Sequence, residues 1–139
     1  MKGTSNGVSP MSYVDESLPL YVRIAEGAKD YLLLGIFQEE VKLPSAVDLA
    51  KKYKINVATV NKALARLVGE GYVYRKRGIG MFVKKGAKNR LIKERRKDFK
   101  EKFVVATVHE AKKLNYTLEE LKKIALDTYA EVYGDEAES

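Results

Sequence analysis

The 139-residue chain has no cysteine, no tryptophan, one histidine and three prolines. Without cysteine there are no disulfide staples and no thiolate metal ligands. The single histidine, His109, rules out a multi-histidine metal centre within one chain. Long apolar runs are missing as well. Tyr31-Leu-Leu-Leu34 is among the longest, against the roughly 18 residues that a membrane span requires. Residues 1–17 are polar, with Gly3, Gly7 and Pro10, and hold no signal-peptide core. No Ser/His/Asp, Cys/His or Walker-type pattern occurs. The acidic pairs Glu39-Glu40 and Glu119-Glu120 are adjacent, so on a helix their carboxylates would diverge. These absences describe a soluble, cytoplasmic chain with no membrane partner, no cofactor and no metal, and not an enzyme. The length allows one ordinary domain, or one small domain with an appendage.

Positive charge is what the sequence does have. The net charge is +7, and it is unevenly spread. Residues 1–15 are neutral. Residues 16–86 carry 13 basic and 7 acidic side chains, and residues 87–103 carry 8 and 3. Residues 104–139 reverse the sign, with 4 basic and 8 acidic. A basic middle joined to an acidic end suits a chain that holds a polyanion with one part and another partner with the other.

The order of elements follows from apolar spacing and from caps. Residues 1–17 read as a flexible tail. Pro19 opens a helix in which Leu20, Ile24, Ala28, Tyr31 and Leu32 share a face, and Gly35 stops it. Ile36 to Leu43 suits a small strand and a turn. Ser45 offers its hydroxyl to a second helix, with Asp48 at the third position. Asn56 opens a third helix, whose inner face is Val60, Ala63, Leu64 and Leu67 and which Gly71 closes. The run Tyr72-Val-Tyr-Arg-Lys-Arg-Gly-Ile-Gly-Met-Phe-Val83 holds two β-favouring pieces around a turn at Arg77 and Gly78. Helix, short strand, two closely joined helices and a hairpin make a winged helix-turn-helix over residues 18–86.

Beyond Gly86 the pattern is helical from Lys88 to about Leu114, basic in its first half, with Glu94, Asp98 and Glu101 interspersed as ion-pair partners. Its apolar positions are Leu91, Ile92, Phe99, Phe103, Val104, Val108, Ala111 and Leu114. Asn115 ends it, and Thr117 with Glu120 forms a capping box for a last helix. That helix carries Leu118, Leu121, Ile124 and Ala125 on one stripe. Residues 87–133 thus form a two-helix segment, followed by an acidic, frayed end at 134–139. Two helices cannot bury both stripes by themselves. A second copy of the chain would cover Phe99, Phe103, Val104, Val108, Ala111, Leu114, Leu118, Leu121, Ile124 and Ala125, making the segment a dimerisation tail. The other outlet for these stripes is packing back onto the chain's own winged helix. The fold class expected is mainly α with one small β-hairpin.

Pro19-Leu-Tyr21, Leu43-Pro-Ser45, Asp48-Leu-Ala50, Thr59-Val60, Lys62-Ala-Leu64, Glu70-Gly71 and Arg77-Gly-Ile-Gly-Met-Phe-Val83 stand in one order across about residues 19–84. Together they resemble the GntR-type winged helix. Ile55-Asn56, Thr59-Val60 and the wing look most like the YtrA-like branch, in which a short helical dimerisation segment replaces a large effector domain. Ala46, Val47 and Val57 stand where many relatives have an acid and two DNA-touching arginines, and Glu39-Glu40 where many have a Pro-Gly turn. The resemblance implies a homodimeric repressor that binds double-stranded DNA, and Thr59 matches a family phosphate contact.

Residue chemistry fills in the expected interface. Base reading belongs to the start of the third helix, on Ala58, Asn61 and Lys62, where Asn61 has the geometry to pair bidentately with adenine. Ser45, Asn56 and Thr59 lie at helix starts beside the backbone. Lys51, Lys52, Lys54, Arg75, Lys76 and Arg77 suit phosphates, and Arg77 also suits the negative minor groove. Gly78 and Gly80 allow a tight wing and a close backbone approach. Two other functions remain open on sequence grounds. One is a regulator with a small-molecule effector between the tail helices, the effector being unknown. The other is a winged helix used for non-specific DNA or protein assembly.

Overall fold

A computed structural model describes residues 15–134, which form two compact units, 15–94 and 95–134. The first contains α1 (Leu20–Leu33), α2 (Ala46–Tyr53), α3 (Val57–Gly69), β1 (Val73–Lys76), β2 (Gly80–Val83) and the start of α4 (Ala87–Phe99). The second contains the end of α4, one π-helical turn (Lys100–Val104), α5 (Val105–Lys113) and α6 (Leu118–Tyr133). Among the described residues no helix is long and apolar enough to cross a membrane. Most of the expected tail 1–17 and of the acidic end 134–139 lies outside the described residues. Asp15–Ser17 do belong to them and form a turn, in which Asp15 accepts from the Ser17 amide and hydroxyl.

The first unit is built around α3, which packs against α1, α2 and β1. Val60, Ala63, Leu64 and Leu67 of α3 are buried with Ala25 and Leu32 of α1, Ala50 of α2, and Tyr72, Val73 and Val83 at the base of the hairpin. Small residues at Ala50 and Ala63 remove bulk where α2 and α3 pack. The hairpin is antiparallel, with Val73 opposite Val83 and Lys76 opposite Gly80. The strand expected over Ile36 to Leu43 is reduced to two isolated bridges, Glu39 to Val83 and Lys42 to Phe82. Its backbone still pairs with β2 through Glu40 N to Val83 O and Leu43 N to Met81 O, both 2.8 Å. Glu40, at φ 63°, breaks the extended conformation between those two points.

A buried cation ties this unit together. The Lys29 side chain, 8% exposed, reaches Glu26 at 2.7 Å and Glu70 at 3.1 Å. Its ammonium lies 5.1 Å from the centre of the Tyr72 ring. Arg90 of α4 rests on the same ring at 4.3 Å and donates to the Glu70 carbonyl. The Tyr72 hydroxyl donates to Glu94, and burial followed by that bond pushes the phenol up to about 12. Lys29→Ala should therefore lower stability by about 2 kcal/mol, below the usual 3–5 for an orphaned buried charge because Glu70 retains some solvent. A urea titration of wild type and variant measures it.

In the second unit, Asn115 at φ 61° ends α5. The Tyr116 amide returns to the Ala111 carbonyl at 3.0 Å. Thr117 and Glu120 form the complete reciprocal capping box at the start of α6. The sequence pattern reads as one regular helix from Lys88 to Leu114, whereas the structure inserts the π turn. A π turn takes up one extra residue, which carries Val104 and Val108 toward the line that Phe99 begins. Of the described residues in this unit only Ala111 is buried.

Candidate nucleic-acid interface

Local capping positions the two helices of the candidate interface. Ser45 Oγ accepts from the Asp48 amide at 3.0 Å, fixing the start of α2. At its other end Lys54 adopts a left-handed conformation, φ 55°, and donates its amide to Ala50 O. That reversal is the turn of the helix-turn-helix. Asn56 Oδ1 then accepts from the Ala58 amide at 2.8 Å and starts α3. Ser45 and Asn56, expected at the DNA, thus spend their side-chain acceptors on helix caps.

With Val60, Ala63, Leu64 and Leu67 inward, α3 exposes Ala58, Asn61 and Lys62 on one edge, and Thr59 is half-buried. The four fall within little more than one helical turn, beside the exposed Lys51, Lys52 and Lys54 at the end of α2. Lys62 is tethered: its ammonium lies 4.2 Å from the centre of the Tyr21 ring in α1. That contact has no local signature, because Tyr21 and Lys62 are 41 positions apart.

The wing brings Arg75, Lys76 and Arg77 to the same unit. Tyr74 and Phe82 stack across the hairpin at 5.8 Å, and Lys76 lies over Phe82 at 4.6 Å. Arg77, Gly78 and Ile79 at the tip are exposed. Arg77 has no ion-pair partner among the described residues. Gly78 takes φ +77°, as a tight turn requires. Gly80 has a structural reason beyond close approach to DNA. It adopts φ +148°, and a Cβ there would lie 2.7 Å from Lys42 Cε. Gly80→Ala should destabilise the wing by about 1 kcal/mol, chiefly through the backbone, since the Lys42 chain can move aside. Hydrogen exchange at the β1–β2 amides would show it.

Two carboxylates that sequence reasoning set aside prove to hold the wing's exit. Glu39 accepts from the amides of Gly86 at 2.8 Å and Lys88 at 3.0 Å, capping α4 from a distant loop. Glu40 accepts from the Lys85 amide at 3.0 Å and from the Tyr74 hydroxyl at 2.8 Å. The Gly86 and Lys88 amides hold the Glu39 carboxyl below its ordinary 4.5. A depressed folded pKa stabilises fully above the ordinary value, and that gain is lost as pH falls through the depressed one. Glu39→Gln should therefore lower the urea midpoint at pH 7, with the gap to wild type closing progressively as pH falls below the ordinary 4.5.

A three-helix core, a capped α2–turn–α3 pair and a basic two-stranded wing define a winged helix-turn-helix module for DNA. The family model described as "Bacterial regulatory proteins, gntR family" matches residues 20–83. The HTH-type transcriptional regulator YurK of Bacillus subtilis (strain 168) is 40% identical over 68 residues, 49% of this chain and 28% of YurK. This chain therefore spans little more than a quarter of that relative. The HTH-type transcriptional repressor YtrA of the same organism is 32% identical over 120 residues, 85% of this chain and 90% of YtrA. A GntR-family transcriptional regulator of Bacteroides thetaiotaomicron superposes with a TM-score of 0.60 at 31% identity, covering 81% of this chain and 98% of that one. The chain belongs to the GntR family of bacterial regulatory proteins. Its likeness to YtrA runs past the winged helix into the tail, and these relatives are regulators, not enzymes.

Proposed function

We propose that the chain is a sequence-specific transcription repressor that binds a near-palindromic operator as a homodimer in the cytoplasm. The observation that carries this reading is the exposed α3 edge of Ala58, Asn61 and Lys62, backed by a buried core and accompanied by a basic wing. Asn61 offers a donor and an acceptor that complement the N7 acceptor and N6 donor of adenine in the major groove. Lys51, Lys52, Lys54, Arg75, Lys76 and Arg77 neutralise phosphates around it, with Arg77 in the adjoining minor groove. Two such modules on a twofold axis read half-sites about 34 Å apart. A bound repressor of this kind blocks or displaces polymerase at the promoter. YtrA, similar over nearly its whole length, is named a repressor.

The test is selection of bound duplexes from a random pool, followed by a salt titration. An inverted repeat should emerge, and log K should fall steeply against log salt, by about 0.9 for each phosphate neutralised. Equal affinity for the selected and a scrambled duplex at moderate salt would sink the proposal in favour of non-specific binding.

A further inference from the structure

The core of the first unit is not filled. Between α1, α2, α3 and the hairpin base lies a cavity of about 220 Å³. Its origin is legible in side-chain size. Gly27 and Ala28 of α1 and Ala63 of α3 contribute almost nothing, while Tyr31, Leu49 and Leu64 stand around the gap. A second hollow of about 300 Å³ opens beside it, and the two share Phe37, Leu43, Leu49 and Tyr53. Both hollows reach the surface, the first at exposed Tyr53 and the second at Ile36, Val41 and Lys52 as well.

We infer that this cavity is a binding site for a small, uncharged, largely apolar molecule of aromatic or branched-alkyl type. Size is the first argument. An apolar cavity of about 150 Å³ stays dry and takes up benzene, so this one admits a somewhat larger guest. Charge is the second. The one cationic side chain in the lining is Lys29, and its ammonium is already held by Glu26 and Glu70. An anionic guest would find no free counter-charge in the wall. The remaining polar features are the Tyr72 hydroxyl, already given to Glu94, and the hydroxyl pair of Tyr53 and Tyr31, 3.0 Å apart. One of the two hydroxyl protons is used between them, which leaves the other for one acceptor atom on the guest. Voids of this size weaken a core in proportion to their volume, and a guest removes that penalty. The site is distinct from any pocket between the tail helices. Its walls include the inner face of α3 and the α2 residues Leu49 and Tyr53, so occupancy bears on the helices that present the DNA-contacting edge.

Binding is testable without DNA, so its outcome does not depend on the repressor reading. The full chain, with methyl groups labelled, is titrated with indole, and separately with benzoate as the charged control. Indole should shift the methyl resonances of Val60, Leu64 and Leu49, and raise the thermal midpoint by roughly 4 °C at about ten times its Kd. Benzoate should do neither. Ala28→Leu, which fills the void, should raise the midpoint without ligand and abolish the indole shifts. If that variant does not fold, the wild-type spectra decide alone. Absent or scattered methyl shifts with indole near its solubility limit would overturn the inference, as would benzoate acting as well as indole.

Discussion

Alanine at both Asn61 and Arg77 is expected to cut affinity for the selected operator about 100-fold per half-site, on the order of 3 kcal/mol. A dimer holds each residue twice, so the whole site would lose about the square of that factor. The two single variants should differ in kind. Asn61→Ala removes a bidentate partner from one base pair, so it should relax preference at that position while leaving the salt slope nearly unchanged. Arg77→Ala removes a charge with no internal partner. It should weaken binding more evenly across sequences and reduce the slope by about 0.9 per protomer. Both side chains are exposed, so urea midpoints should stay within about 0.5 kcal/mol of wild type, and the loss is one of binding and not of folding. Quantitative gel shifts at several salt concentrations separate these effects. A double variant that binds as wild type does would place the DNA contacts elsewhere on the surface.

What could be read in the sequence divides by distance along the chain. Ser45, Asn56 and Thr117 each cap a helix within three residues of themselves, and all three caps are in place. The inner face of α3 follows from its own spacing and is buried as expected. Other features depend on residues far apart and carry no local signature. Glu39 caps α4 from 47 and 49 positions away, and Lys29 meets Glu70 across 41. The core cavity depends on Gly27, Ala28 and Ala63 being small at one place, which no single helix reveals. The π turn lies between these extremes. Its trace is a one-residue slip in the apolar stripe, from Phe103 to the adjacent Val104, which a search at fixed helical period passes over.

Glutamate at Val108 and Ile124 is expected to convert a dimer into a monomer. The second unit leaves a large apolar surface on its own side chains: Phe99 is 57% exposed, Val108 50%, Leu114 and Leu118 66%, and Leu126 71%. Tyr129 and Tyr133, with rings 5.2 Å apart, extend that surface along α6. Within the second unit these side chains do not cover one another, and exposed apolar surface of this kind marks an interface. A second copy meets it economically, because a twofold axis sets each stripe against its own equivalent. Glutamate keeps helix propensity high while placing four like charges, two from each copy, in the proposed seam. Sedimentation should show a dimer for wild type and a monomer for the double variant, with far-UV circular dichroism unchanged. Linkage makes the second half-site contact intramolecular, so affinity for the full operator should fall by about 10² to 10⁴ while affinity for an isolated half-site is kept. A double variant that remains dimeric would move the interface off this surface. A monomeric wild type with full operator affinity would remove twofold symmetry from the mechanism.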